Sequence, residues 1–464
     1  MIKRIAQYSI LALFLAGLGA QCPAGEGAST NDEDLVRVSW VERTPIAKRP
    51  LIFPRIQNQY YLFRNLILNY PIAKMIDRPL FYDRSLLNRK DGWGVSLVRE
   101  FKVHMRNAAD YGVDGLGVLT HSLGLYQSHR RIPYDAADLI RMDNFNILTE
   151  FCGQSHPDIN KMVEYQDYIL CRALASPYSA KINGKIVLSS YCGDLTTPEE
   201  YAEIIRRLRA AHGDSFYYMV DIGVPSGDGW KSGWGYIWLW KFYKYGGAMP
   251  KKDVEALQAY LRRYLDVCDG IHIAGAGGIQ AAVTGHLFCR EFYRDFLIPV
   301  LCGVLAESPY RQKLLGLSAS GGHLNHYAGG NFLLHQEGTK TLRDSLDIAL
   351  KAHPDYIVLP EWNEVNENTF IQPTIYNSLV TQRLLKYYTS RLKGRPPAPN
   401  PGDDRSVPNL MVSFRRVLEL GEKLEIELLN IPDDTNSRMY AVEFRLLDEN
   451  GKEVHRFPPQ EFNG

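Results

Sequence analysis

Three carboxylates recur at every third residue in the stretch Pro354 to Pro373, which reads PDYIVLPEWNEVNENTFIQP: Glu361, Glu364 and Glu367. If the chain turns helically there, they stack on one face roughly 5–6 Å apart. Like charges so close repel, and the repulsion is relieved when one carboxyl is protonated while its neighbour is ionised at the same pH. A protonated acid beside an ionised base is what hydrolysis of a glycosidic bond requires. Trp362, Asn363 and Asn366 are interleaved with the acids, and indole faces and amides stack on or hydrogen-bond to sugar rings. Directly before them, Tyr356 to Leu359 is a short apolar run with two β-branched residues, which reads as a buried strand. The chemistry is therefore expected where the chain leaves a strand.

The string Trp362-Asn363-Glu364-Val365-Asn366-Glu367-Asn368-Thr369, running on to Ile371-Gln372-Pro373, resembles the W-N-E-W-x-E-G-T-x-I-E-P signature of the glycoside hydrolase family 99 endo-α-mannosidases. It is also similar to the W-N-D-x-x-E pattern of the family 71 α-1,3-glucanases. The family 99 resemblance implies that Glu364 is the base that deprotonates the sugar 2-hydroxyl and Glu367 the acid/base at the glycosidic oxygen. Glu150, in Leu148-Thr149-Glu150-Phe151, resembles the strand-end Glu that binds substrate hydroxyls beside that pair. Val365 stands in place of the second Trp, Asn368 of the Gly and Gln372 of the last Glu. Family 99 chemistry implies retention through a 1,2-anhydro sugar, whereas family 71 relatives invert; the spacing of the acids leaves both open.

The elements that position these residues alternate. Candidate strands are Gly112 to Leu119, Phe145 to Leu148, Lys185 to Ser190, Phe216 to Val220, Gly270 to Ile273, Ile298 to Leu305 and Tyr356 to Leu359, preceded by either 50–54 or 79–83. Helical spacing falls between or after them over Val95 to Tyr111, Ile159 to Ala173, Pro198 to Ala211, Lys252 to Val267, Thr339 to Ala352 and Ile375 to Arg391. Thr196-Thr197-Pro198-Glu199-Glu200 carries a hydroxyl cap, an early proline and first-turn acids. Eight strands separated by helices predict a (β/α)8 barrel, the TIM-barrel class of α/β folds. No GxGxxG loop follows the first strand, which disfavours a dinucleotide-binding sheet, and no GxSxG elbow suggests a serine hydrolase.

In such a barrel the chemistry sits at the strands' C-terminal ends. Those ends offer Thr120-His121, Glu150, Tyr191, Asp194, Asp221 and, after the 298–305 run, Glu307. Glu150, Tyr191, His121, Asp221, Glu361, Trp362 and Asn363 are the expected substrate-binding residues, with Glu364 and Glu367 catalytic. His121, His272 and Asp221 lack the short spacing of a metal site. Neither a metal nor a cofactor is expected.

A formal net charge of +1 over 464 residues provides no basic field for nucleic acid. Lys3 and Arg4, an apolar Tyr8 to Leu18 and small residues to Ala20 make a secretory signal, taken as 1–24, too short to span a membrane. Gln21 before Cys22 is too bulky for a lipoprotein signal, so no lipid anchor is expected. The protein is expected to be exported, extracellular or periplasmic. Six further cysteines form no CxxC pair. Residues 25–49 are polar and without period, a flexible leader, and 50–392 make up the barrel. At 393–408 prolines mark a stiff spacer, and 409–464, with candidate strands Leu410 to Phe414, Lys423 to Leu428 and Tyr440 to Leu446 and an Asn450-Gly451 turn, read as a small β-sandwich-like module. The sequence predicts a secreted glycoside hydrolase cleaving α-linked polysaccharide, α-mannan or α-glucan, at bonds within the chain. A non-catalytic glycan-binding protein on the same barrel is the alternative.

Overall fold

The computed structural model describes residues 34–57, 97–120, 132–152, 158–191, 193, 196–222, 234–273, 290–325, 332–334, 336–363, 369, 371–374, 376–400, 402–404, 406–415, 418–433 and 439–462. Eight parallel strands close into a barrel: β1 (Leu51–Gln57), β2 (Gly115–Thr120), β3 (Asn146–Cys152), β4 (Lys185–Tyr191), β5 (Phe216–Asp221), β6 (Gly270–Ile273), β7 (Leu314–Ser318) and β8 (Tyr356–Leu359). Each pairs with the next in the chain, and β8 returns to β1 in the register Tyr356↔Leu51 to Leu359↔Pro54. Parallel pairing requires a crossover between strands. Helices α1 (Leu97–Asp110), α2 (Ile132–Ile140), α3 (Ile159–Leu174), α4 (Pro198–His212), α5 (Trp234–Lys244), α6 (Lys251–Leu265), α7 (Ile298–Leu305) and α8 (Lys340–Lys351) supply the crossovers, and α9 (Val380–Leu392) follows β8. The fold is the expected (β/α)8 barrel. Its α4 starts on a reciprocal cap, with Thr197 Oγ1 accepting from Glu200 N and Glu200 Oε2 accepting from Thr197 N.

One expected strand is a helix. Ile298 to Leu305 forms α7, buried at Ile298, Pro299, Val300, Leu301, Cys302, Val304 and Leu305, and the seventh strand is the shorter Leu314–Ser318. An unbroken apolar run has no period, so a helix buried on nearly every side looks the same as a central strand. Glu307 is accordingly no strand end; it accepts two bonds from Arg262 of α6, at 3.0 and 2.6 Å. Of the two early candidates, Leu51–Gln57 is β1, and 79–83 lies outside the described residues.

Alternation along each strand divides the core. Outward residues such as Ile52, Ile147, Ile186, Tyr218, Ile271, Leu315 and Ile357 pack against the helices. Inward residues Phe53, Leu148, Val187, Met219, Leu314, Tyr356 and Val358 fill the barrel's N-terminal half.

Residues 34–49, expected to belong to a flexible leader, are tied across the barrel's N-terminal end. Leu35–Val36 pairs antiparallel with Met249–Pro250, and Arg49 grips Asp114 with bonds of 2.9 and 2.6 Å. Asp355, fully buried just before β8, accepts from Ile46 N at 2.6 Å, Ala47 N at 2.7 Å, Leu315 N at 2.8 Å and Arg43 Nη2 at 2.5 Å. The polar composition that suggested a free segment is the set of groups that anchors it. Asp355→Asn leaves the buried Arg43 guanidinium without its counter-charge and is expected to cost about 3 kcal/mol, read as a lower urea midpoint at unchanged slope.

The proline-rich segment lies against α9: Arg383 pairs with Asp403, and Lys386 donates to Asn400 Oδ1 at 2.8 Å. Beyond it the chain forms three antiparallel pairs, Leu410–Phe414 with Ile426–Asn430, Tyr440–Val442 with Gln460–Phe462, and Arg445–Leu447 with Glu453–Arg456; no larger sheet joins them among the described residues. The first pair docks on the barrel. Glu427 caps the start of α8 by accepting from Thr339 N at 2.7 Å and Arg343 Nη2 at 2.7 Å, and Met411 and Ile431 are buried in the outer core. Among the described residues no helix is long and apolar enough to cross a membrane.

Candidate active site

The inward positions change character along the barrel axis. Two residues beyond Phe53, Leu148, Val187, Met219 and Gly270, on the same faces of their strands, stand Arg55, Glu150, Ser189, Asp221 and His272, all at most 1% exposed. The C-terminal half of the barrel interior is thus polar where the N-terminal half is apolar.

Arg55 sits at its centre. Its Nε and Nη2 donate to the two oxygens of Glu150 at 2.8 and 2.9 Å, and its Nη1 donates to Glu361 Oε1 at 3.2 Å. The two-bond match to Glu150 uses the planar fork of a guanidinium. Gly117 on the strand between them makes room, since a Cβ there would lie 3.0 Å from Glu150 Oε2. Burial alone pulls the Arg55 pKa down, but Glu150 and then Glu361 outweigh it and hold it well above the ordinary value. The cation is permanent, and one positive charge stands between two carboxylates. The Tyr191 ring, half-buried at the end of β4, stacks on the guanidinium with 4.7 Å from Cζ to the ring centroid.

Below this group, His272 bonds through Nδ1 to Ser189 Oγ at 3.1 Å and through Nε2 to Ser318 Oγ at 3.3 Å, and the Tyr356 hydroxyl reaches Ser189 Oγ at 3.4 Å. Asp221 lies in register with His272 across β5 and β6, and its backbone N–H donates to Ser190 Oγ at 3.1 Å.

The residues on either side of the two acids are fixed. Glu361 N donates to Thr369 O at 2.8 Å, Ile371 N to Glu361 O at 2.8 Å and Gln372 N to Trp362 O at 3.1 Å, while Trp362 N donates to Arg55 O in β1. The chain before Glu364 and the chain after Glu367 are therefore bonded to each other and to the strand that carries Arg55. Trp362 is 1% exposed and belongs to the outer core; its indole N–H donates to His104 Nδ1 on α1 at 2.8 Å. The ring is packed between barrel and helix, so it bears on this site by holding the backbone of Glu361 and Asn363. Both of those neighbours are buried. Glu364, Glu367 and His121 lie outside the described residues, as do Asp194 and 1–33.

Of the sequence candidates, the structure brings Glu150, Glu361 and Tyr191 together around one cation, with Asp221 buried in the same polar half of the barrel. Sequence reading missed Arg55. Its signal was present, since an arginine inside the apolar run Leu51 to Ile56 must find a buried counter-charge.

Burial lowers the pKa of two histidines inside the fold, His104 to about 3 and His272 well below its ordinary value, with the Arg55 charge adding to the second. Both are neutral when folded and gain a proton below about pH 6.5 when unfolded. The unfolded chain then binds more protons, so the stability they contribute is complete above about pH 6.5 and is lost as pH falls toward the folded pKa. The expected loss is about 1.4 kcal/mol per pH unit for each histidine. Urea midpoints from pH 7 to pH 5 should show it, with a shallower slope in His104→Asn.

No family model and no curated protein sequence matches this chain. Solved structures do. The endo-α-mannosidase of glycoside hydrolase family 99 from Bacteroides thetaiotaomicron superposes with a TM-score of 0.50 at 14% identity, over 74% of this chain and 97% of that one, in its complex with bis-tris-propane. A second structure of that enzyme gives 0.50 at 13% identity over 74% and 97%. A glycoside hydrolase-like protein gives 0.51 at 11% identity over 75% and 96%. The chain is thus similar in fold to family 99 enzymes along nearly their whole length.

Proposed function

We propose that the chain is an exported glycoside hydrolase that cleaves α-linked polysaccharide, α-mannan or α-glucan, with Glu364 and Glu367 as the acid/base pair. The observation that carries this reading is the buried group of Arg55, Glu150 and Glu361 at the C-terminal end of a closed barrel, beside the anchored residues that flank the two acids in sequence. The fold likeness to a solved endo-α-mannosidase supports the substrate class.

In this reading Glu367, protonated, gives its proton to the glycosidic oxygen as the bond to the anomeric carbon lengthens. Glu364, ionised, takes a proton from the sugar 2-hydroxyl in the retaining route, or from water in the inverting one. Arg55 offsets the charge of Glu150 and Glu361, so that two further carboxyls near them meet one net negative charge rather than two. Glu150, Glu361, Asn363, Tyr191, Asp221 and His121 are the groups assigned to sugar hydroxyls and ring faces.

The test is incubation with a panel of α-mannans and α-glucans, the products being separated by length and the first-formed anomer followed by proton NMR. Internal cleavage of one α-linked polymer is the expected result. Binding of an oligosaccharide without any release of reducing ends would favour the non-catalytic alternative.

A further inference from the structure

We infer that the protein carries a surface site for a divalent transition-metal cation of the zinc type, formed by Asp167, Cys171 and His212 at the end of the barrel opposite the mouth. Asp167 and Cys171 are four residues apart on α3, which places them on one face of that helix. His212 is the last residue of α4, the next helix in the ring. The oxygen, sulfur and nitrogen ligand atoms all lie within 4.8 Å of one another, and His212 Nε2 is already 2.6 Å from Asp167 Oδ1. Zinc bonds of about 2.0–2.3 Å in a tetrahedron separate ligand atoms by roughly 3.3–3.7 Å. The Cys171 thiol is exposed and Asp167 is 42% exposed, so small rotations on the surface close the remaining gap.

The ligand types decide the metal. One thiolate, one imidazole and one carboxylate suit a borderline-soft cation and not the all-oxygen preference of calcium or magnesium. The location favours a cation as well. The carbonyls that end α4 put partial negative charge beside His212. On binding, the Cys171 thiol releases its proton to solvent and its sulfur bonds the metal; His212 moves its proton from Nε2 to Nδ1 and offers Nε2; water takes the fourth position. Because barrel helices run against their strands, the C-terminal ends of α3 and α4 lie at the strands' N-terminal end, far from Arg55. The site would staple two neighbouring helices without touching the chemistry, and it does not depend on the proposed hydrolase activity.

The experiment uses the full chain with Co²⁺ as a spectroscopic probe and Zn²⁺ as competitor. Cobalt should give a thiolate-to-metal charge-transfer band in the wild type that zinc removes and that is lost in both Cys171→Ser and His212→Gln. Peptide mapping after iodoacetamide treatment should show labelling of Cys171 slowed roughly tenfold at a zinc concentration about ten times Kd. Absence of the band in the wild type, its survival in Cys171→Ser, or its full retention in His212→Gln would each overturn the site. So would unchanged labelling of Cys171 in saturating zinc, a readout that needs no variant.

Discussion

Glu364→Gln and Glu367→Gln, made one at a time, are each expected to lower kcat on the α-linked substrate by roughly 10²–10⁴-fold while KM stays within a few fold. An amide keeps the size and most hydrogen bonds of the carboxyl but neither takes up nor gives a proton at neutral pH. An interaction used only in the transition state lowers kcat and kcat/KM together. The two variants should also differ. Activated substrates whose leaving group needs no proton should restore much of the rate to Glu367→Gln and little to Glu364→Gln, because only the acid is bypassed. If both variants turn over polysaccharide like the wild type, the pair does not carry the reaction.

The second large effect is on the buried group that supports them. Arg55→Met keeps the apolar stem but leaves Glu150 and Glu361 buried without the cation that all three contacts share. Removing one partner of a buried charge pair costs about 3–5 kcal/mol, and here two carboxylates lose the same partner, which places the expected loss at the upper end. Arg55→Lys should recover only part of it, since an ammonium cannot reproduce the two parallel bonds to Glu150. Chemical denaturation reads both. Activity should fall further than stability explains, because the Arg55 side chain holds the Glu361 carboxylate on the N-terminal side of the two acids, whereas the Arg55 carbonyl that accepts from Trp362 N stays in either variant. A fully active Arg55→Met of wild-type stability would remove Arg55 from the account.

Much of this was legible in the chain itself. Six of the eight strands, β2 to β6 and β8, stand out as short apolar runs closed by turn residues or by a helix start such as Thr197 to Glu200, and β1 was one of two candidates. The remaining strand failed where pattern carries no information: α7 is apolar on nearly every side, and Leu314–Ser318 is only five residues long. The site was legible in part. Glu150 and Glu361 stood out as acids at strand ends, but their common partner is 95 and 306 residues away in sequence, and nothing local couples positions that far apart. What the strands do show, read two residues at a time, is the change from Phe53 to Arg55, from Leu148 to Glu150 and from Met219 to Asp221. That gradient marks the polar end of the barrel in the letters of the strands alone. Burial of Trp362 had no such signal, because an aromatic between acids reads equally well as a sugar platform and as a core residue. The anchoring of 34–49 was hidden for another reason: Arg43 and Arg49 are held by buried carboxylates far along the chain, and composition alone treats such residues as solvated.

The measurement that bears most directly on the central claim is a crystal structure of the Glu367→Gln variant with an uncleaved α-linked oligosaccharide. The account predicts the sugar across the C-terminal mouth of the barrel, its scissile glycosidic oxygen within about 3 Å of the residue 367 side chain and Glu364 on the same sugar beside its 2-hydroxyl or a water. A sugar bound elsewhere, or side chains 364 and 367 directed away from one another with the glycosidic bond near neither, would contradict it.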